Sequence, residues 1–221
     1  MKGARKGARR ARRTLHVVVT AGPTLEYIDP VRYLANASSG RMGFAIAAAA
    51  VRAGHRVTLV TGPVCLATPK GVERIDVVSA RDMLAALRRV FPGADALYMA
   101  AAVSDWRPRR RLAGKWRRKD GGDETATLEL VRNPDVLATV ARRKGGRLVV
   151  GFALETGDGI RRAKAKLQRK NADFVVLNDA TALNATSGTV TILGSDGRID
   201  RLESLEKPAI ARILVGLLGR T

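Results

Sequence analysis

From residue 15 onward, short apolar runs alternate with stretches of helical spacing. Residues 15–20 (LHVVVT) form a β-branched run suited to a strand buried on both faces. Residues 40–53 are alanine-rich and apolar almost throughout, which predicts a buried helix ending near Gly54. Residues 56–61 (RVTLVT) and 72–78 predict the next two strands. Residues 80–90 place Met83, Leu84, Leu87 and Val90 on one side of a helix. Residues 95–102 (DALYMAAA) predict a strand running into a turn of small residues. The charged stretch that follows, to about residue 124, predicts a mobile loop. Residues 125–131 (TATLELV) alternate as a half-exposed strand should. Asn133-Pro134 predicts an asparagine N-cap with proline at the first helical position, in a helix reaching about residue 144. A buried strand over 148–153, a cationic helix over 158–170 and a strand over 174–177 come next. Segments 189–193 and 198–202 flank Ser195-Asp196-Gly197, a hairpin signal, and 207–218 predicts a closing helix.

Strand–helix alternation of this kind predicts an α/β fold: Rossmann-like, with a mostly parallel sheet flanked by helices and a late antiparallel hairpin. There is no internal repeat and no interdomain linker, so residues 15–221 are expected to form a single domain behind a basic tail, residues 1–14. Such a tail has too little apolar surface to fold, and disorder is expected there. No apolar run reaches the roughly 18 residues of a membrane span, and the apolar stretch after the tail is too short for a signal peptide. The expected location is therefore the cytoplasm.

The charge of +20 alters the picture in two places. Seven cations fall in the first thirteen residues, where they favour solvation and, at most, non-specific attraction to nucleic acid. Eight more fall between Arg107 and Lys119, inside the expected domain, where a small anionic substrate would account for them. The lone Cys65 excludes an internal disulfide, and two histidines, His16 and His55, make no metal cluster.

Candidate chemistry begins at the end of the first strand, in the small turn Thr20-Ala21-Gly22-Pro23-Thr24, where backbone can approach a ligand. A long connection then leads to Asn36-Ala37-Ser38-Ser39-Gly40. Ser38, Ser39 and Gly40 stand where the free N–H groups of a helix start can hold a phosphate; the plainer reading is a serine N-cap.

These residues carry a resemblance. The segment 20–42 (TAGPTLEYIDPVRYLANASSGRM) resembles the opening signature of the phosphopantothenoylcysteine synthetases, or phosphopantothenate–cysteine ligases. In the same order follow Ala101-Ala102-Val103-Ser104-Asp105-Trp106-Arg107, Asn133-Pro134-Asp135-Val136, Gly151-Phe152-Ala153-Leu154-Glu155-Thr156, the Lys166…Lys170…Asp173 spacing, and Asn178-Asp179. The resemblance covers nearly everything after residue 15.

It implies ligation of 4′-phosphopantothenate to L-cysteine through an acyl nucleotidylate, with CTP as the expected nucleotide, ATP as the alternative, and Mg²⁺. It implies catalytic roles for Asn36, whose amide would donate to the acyl oxygen, and for Lys115. It implies nucleotide contacts from Gly22, Ala101, Ala102, Asp105, Lys115, Asn133, Pro134, Asp135, Val136, Phe152, Lys166 and Lys170, with Asp105 also at the metal and Ser38, Ser39 and Gly40 at the substrate phosphate. The i, i+4 spacing of Lys166 and Lys170 alone would be an ordinary solvated face; Phe152 alone would be core. The resemblance also implies a homodimer, with the late hairpin at its interface and the Lys115 loop reaching toward the partner's site. Many members carry a fused flavin-dependent decarboxylase, which here is expected on another protein. The sequence departs from the pattern at Lys115-Trp116-Arg117-Arg118, where the family commonly has K-I-K-K; arginine does not reproduce the compact charge of lysine.

Two other classes compete. A Rossmann-type NAD(P)-binding reductase would suit the fold, but G-x-G-x-x-G is missing after the first strand. A nucleic-acid-binding module would suit the charge, but 4% aromatic residues leave little for base stacking.

Overall fold

The computed structural model describes residues 13–117, 125–155, 158–179 and 187–219. Residues 1–12, most of the expected tail, and the stretch 118–124 of the expected mobile loop lie outside the described residues. Arg13, where the tail meets the fold, is ion-paired to Asp95 at 3.0 Å.

Six strands run parallel: β1 (His16–Ala21), β4 (Arg56–Thr61), β5 (Val72–Asp76), β6 (Ala96–Met99), β9 (Leu148–Glu155) and β10 (Phe174–Asp179). The antiparallel pair β11 (Ser187–Gly194) and β12 (Ile199–Glu206) extends the sheet beyond β10. The order β12-β11-β10-β9-β6-β1-β4-β5 is the doubly wound arrangement, with its reversal between β1 and β6. The predicted α/β architecture and its late hairpin are thus present.

The alternation of side chains along β1 explains the layers. Val17, Val19 and Ala21 point to a face covered by α1 (Arg41–Arg52) and α5 (Lys207–Val215). Val18 points to the other, covered by α2 (Ala80–Val90), α3 (Val136–Ala141) and α4 (Gly159–Arg169). Both faces are buried, so the strands read as unbroken apolar runs. Tyr98 is fully buried under α5 and donates its hydroxyl to the Leu214 carbonyl at 2.8 Å.

Three expectations need correction. The connection after β1 contains a two-stranded piece, β2 (Glu26–Tyr27) with β3 (Tyr33–Leu34), that the pattern did not predict. Of the alternating segment 125–131, only the end is a strand: β8 (Leu130–Arg132) pairs with β7 (Trp106–Pro108), whose three residues limit the ladder. Helix α3 is capped by Asp135, not Asn133: the Asp135 carboxylate accepts from Ala138 N–H at 3.0 Å, and Pro134 precedes the helix. The Asn133 side chain is engaged elsewhere, with the Ser104 carbonyl at 2.9 Å.

Candidate active site

The carboxyl ends of β1 and β6 lie side by side at the sheet's reversal, and the turns that follow them are strapped together. Pro23 bridges to Ala102; the Ala102 N–H donates to Gly22 O at 2.9 Å, and the Thr24 N–H donates to Ala102 O at 3.2 Å. Two buried threonines complete the strap. Thr20 Oγ1 accepts from Ala101 N–H at 3.1 Å, and Thr24 Oγ1 accepts from Ser104 N–H at 2.9 Å. Sequence reasoning missed the role of both hydroxyls: Thr20 ends a β-branched run and looks like any strand residue, and Thr24 follows Gly22-Pro23 like any turn residue.

The strapped turn, residues 101–105, separates two cavities and contributes to both. One, about 740 Å³, is bounded by Asn36, Ser38, Ser39 and Gly40 on one side and by Ala101, Ala102 and Phe152 on the other. The Asn36 amide donates to Val103 O at 3.1 Å, which fixes it against the turn. Ser38 Oγ accepts from Gly40 N–H at 3.3 Å. The second cavity, about 500 Å³, holds Asn133, Pro134, Asp135, Val136, Lys170 and Arg169. Asp105, Phe152 and Lys166 line both.

Gly22 and Lys115 line neither. Gly22 instead stands behind Gly40. Both have left-handed backbone, φ 71° and 73°, and a Cβ on Gly40 would come within 3.3 Å of Gly22 N, so two glycines let the helix start lie on the first turn. Lys115 sits on the β2–β3 side. Its neighbour Trp116 donates its N–H to the buried Asp29 carboxylate at 3.0 Å, and Arg32 donates to Trp116 O. Asp29 also accepts from the N–H groups of Val31 and Arg32, both at 2.7 Å. The Trp116 bond, against the opposing pull of burial, and these two bonds hold the Asp29 carboxyl below the usual carboxylate range.

Two cations of the second cavity are tied in place. Lys166 Nζ donates to Phe152 O at 2.6 Å, and Lys170 pairs with Asp135. Lys170 is the residue that follows the end of α4. Burial pushes the Asp135 carboxyl up, but Lys170, the Ala138 N–H and the charge of Arg169 outweigh it and keep the group below its ordinary range. Among the described residues no three His, Cys, Asp or Glu side chains gather as a metal cluster. Asp105 offers one exposed carboxylate on the wall common to both cavities, which fits Mg²⁺ held by a carboxylate and substrate phosphates together.

A further cavity, about 1010 Å³, is at the opposite end of the sheet, beside Arg13, His55, Asp95 and Arg147. Ligands of open α/β sheets bind at the carboxyl ends of strands, and none of the motif residues is near it, so the paired cavities are the candidate site.

The bifunctional coenzyme A biosynthesis protein CoaBC of Bacillus subtilis (strain 168) is 45% identical over 197 residues, 87% of this chain and 48% of that protein. The chain thus spans about half the length of the curated relatives it matches. The crystal structure of the C-terminal domain of a CoaBC protein is 38% identical, with TM-score 0.80 over 93% of this chain and 95% of that one. A Cab2 mutant in complex with phosphopantothenate-cysteine is 18% identical with TM-score 0.76, over 93% and 85%, a likeness of fold. No described helix is long and apolar enough to cross a membrane. The family model for the DNA/pantothenate metabolism flavoprotein C-terminal domain matches residues 13–220, and the chain belongs to that family.

Proposed function

We propose that this chain joins 4′-phosphopantothenate to L-cysteine in coenzyme A biosynthesis, through an acyl nucleotidylate, with CTP as the preferred nucleotide. The observation that carries the reading is the pair of cavities meeting at one strapped turn, with Asn36 on one side and Lys166 on the shared wall. A carboxylate is a poor electrophile and needs a better leaving group. In the first step a substrate carboxylate oxygen attacks the α-phosphorus, the α–β bridging bond breaks, and pyrophosphate departs with that electron pair. In the second the cysteine amine attacks the acyl carbon, loses a proton, and the nucleoside monophosphate leaves.

Each residue has a task in that scheme. Lys166, Lys170 and Lys115 offset the charge that builds when two anions meet. The amide of Asn36 donates to the acyl oxygen. The backbone of Ala101 and Ala102 and the ring of Phe152 hold the nucleotide, with Asn133, Pro134, Asp135 and Val136 beside it and Gly22 supporting from behind. Ser38, Ser39 and Gly40 receive the substrate phosphate at the start of α1. Mg²⁺ on Asp105 supplies further neutralisation when bound. Positioning and charge do the work, so no covalent nucleophile is required.

The fold would also permit a dinucleotide enzyme. In such folds the pyrophosphate sits where the first strand turns directly into its helix. Here β2 and β3 intervene between β1 and α1, which disfavours that reading. The working form is proposed to be a cytoplasmic homodimer, with the β11–β12 hairpin at the interface and the Lys115 loop approaching the partner's site; a monomeric mass at micromolar concentration would count against it. The test of the activity is pyrophosphate release from CTP and from ATP with 4′-phosphopantothenate, Mg²⁺ and cysteine. Release that needs both acid and amine supports the ligase. Folded protein that releases none with either nucleotide refutes it.

A further inference from the structure

One corner of the first cavity joins the opening motif to a residue from the end of the chain that no motif contains. Helices α1 and α5 pack side by side on the same face of the sheet, and both begin at its carboxyl edge. Their first residues, Arg41 and Lys207, line the same cavity as Ser38, Ser39 and Gly40. A helix start already carries partial positive charge, and acidic residues are the usual complement there. Neither helix has an acidic residue in its first turn, and neither N-cap residue, Gly40 or Glu206, makes a side-chain capping bond. Each helix instead starts with a cation. Among the described lining residues the only carboxylate is Asp105, on the wall facing the second cavity.

Partial burial, and then the nearby Arg41 charge, lower the Lys207 pKa from its ordinary value. Two like charges beside two helix starts on one cavity wall form an arrangement that a dianion complements. A phosphate monoester is such a dianion, while a neutral alcohol gains nothing there.

We propose that Lys207, with Arg41 beside it, reads the phosphate of the acid substrate and makes the site selective for a phosphorylated over an unphosphorylated acid. The inference rests on the ligase reading, and it gives the cavity a polarity. The phosphate anchors at the α1–α5 corner, and the carboxylate is directed toward Asn36, Lys166 and the nucleotide. Lys207 is absent from the family motifs in the sequence, because it becomes part of the site only when α5 packs on α1.

The experiment compares the full chain with Lys207→Met and Lys207→Arg, using 4′-phosphopantothenate and pantothenate as alternative acids at saturating nucleotide and cysteine. Loss of one charge-assisted contact predicts that KM for 4′-phosphopantothenate rises about 10- to 100-fold in Lys207→Met. kcat at saturation and KM for the nucleotide should stay within about two-fold, and Lys207→Arg should recover most of the loss. Selectivity over pantothenate should collapse in parallel. An unchanged KM for the phosphorylated acid, or a rise in nucleotide KM instead, overturns the proposal. Should Lys207→Met fail to fold on a thermal melt, Arg41→Met is expected to give the same KM pattern, and its absence counts equally against it. Should the wild-type chain show no turnover, the ligase reading has failed. Calorimetric titration of 4′-phosphopantothenate into nucleotide-free protein then decides the inference alone: binding that Lys207→Met abolishes supports it, and no binding to the wild-type chain refutes it.

Discussion

Replacing Gly43 by alanine asks whether the site depends on how closely α1 lies on the central strand. Gly43 is in the first turn of α1. A Cβ added there would stand 2.6 Å from the Ala21 Cβ, 2.7 Å from the Thr20 carbonyl oxygen and 3.1 Å from the Ala21 Cα. Carbon atoms in ordinary contact are about 3.5–4.0 Å apart, so helix and strand must separate by roughly 1 Å at the end that faces the cavity. Two effects oppose each other. Alanine favours the helix over glycine by about 1 kcal/mol. Overpacking a tight contact costs about 1–3 kcal/mol. The atoms met here belong to the backbone and to the Cβ of a central strand, with no flexible chain end to yield, so the upper part of that range applies. The expected net loss is about 1–2 kcal/mol, and for a domain of this size a fall in Tm of roughly 2–8 °C. A matched control is Gly146→Ala, whose Cβ would meet nothing within 4 Å; it should stay within about 0.5 kcal/mol of the parent. Thermal melts and urea titrations of both variants measure the difference. On the ligase reading, Gly43→Ala should also raise KM for the phosphorylated acid more than KM for the nucleotide, since Ser38, Ser39 and Gly40 lead directly into α1. A variant as stable as the parent would show that α1 shifts freely on β1, and the reasoning would fail.

Tyr98→Phe should cost about 0.5–1.5 kcal/mol in urea unfolding, because it removes a buried hydrogen bond to the Leu214 carbonyl, which keeps the Gly216 N–H as a donor; a loss under a few tenths would mean that the hydroxyl contributes nothing net. Lys170→Met should change stability by less than about 1 kcal/mol, since the Asp135 carboxylate is nearly half exposed, at 46%. On the ligase reading the same variant should raise the nucleotide KM, and an unaltered KM would remove Lys170 from the site. The depressed pKa of Asp29 gives a pH prediction. Its hold on the Trp116 N–H should be complete above the unfolded carboxyl value of about 3.9 and should be lost as pH falls through the lower folded value. Trp116 emission in a Trp106→Phe background should therefore be flat from pH 7 to about 5 and change only below about 4, and Asp29→Asn should show the released spectrum already at pH 7. A transition between pH 5 and 7 would point to another group.

How much of this was legible beforehand depends on whether a feature is local. Helix α2 begins and ends where its periodicity said, because Ser79 and Asp82 cap each other reciprocally within three residues, at 3.2 and 2.9 Å. The long strands of the parallel sheet followed from apolar runs that need no partner to be recognised, whereas their order did not. The β2–β3 piece was illegible because two-residue strands have no period to read. The alternation of residues 125–131 misled for the opposite reason: a pattern that promises a strand forms one only as far as a partner strand extends, and β7 is three residues long. The site divides in the same way. Asn36, Asp105, Lys166 and the Ser38–Gly40 turn could be named from motifs, since ligand chemistry restricts which residue types can stand there. Thr20 and Thr24 stand in the first motif, but what their side chains do could not be read there. Their hydroxyls take the N–H groups of residues 81 and 80 positions along the chain, Ala101 and Ser104, and only the adjacency of β1 and β6 brings those partners into reach. Lys207 is the extreme case: its proposed role is set by the packing of the last helix against the first. The motif residues are thus those with the least freedom to change chemically, while the residues that aim them are free to change wherever another side chain can make the same bond. Exchange of Thr20 or Thr24 for serine should therefore leave the turn in place, whereas valine, of equal shape, should loosen it.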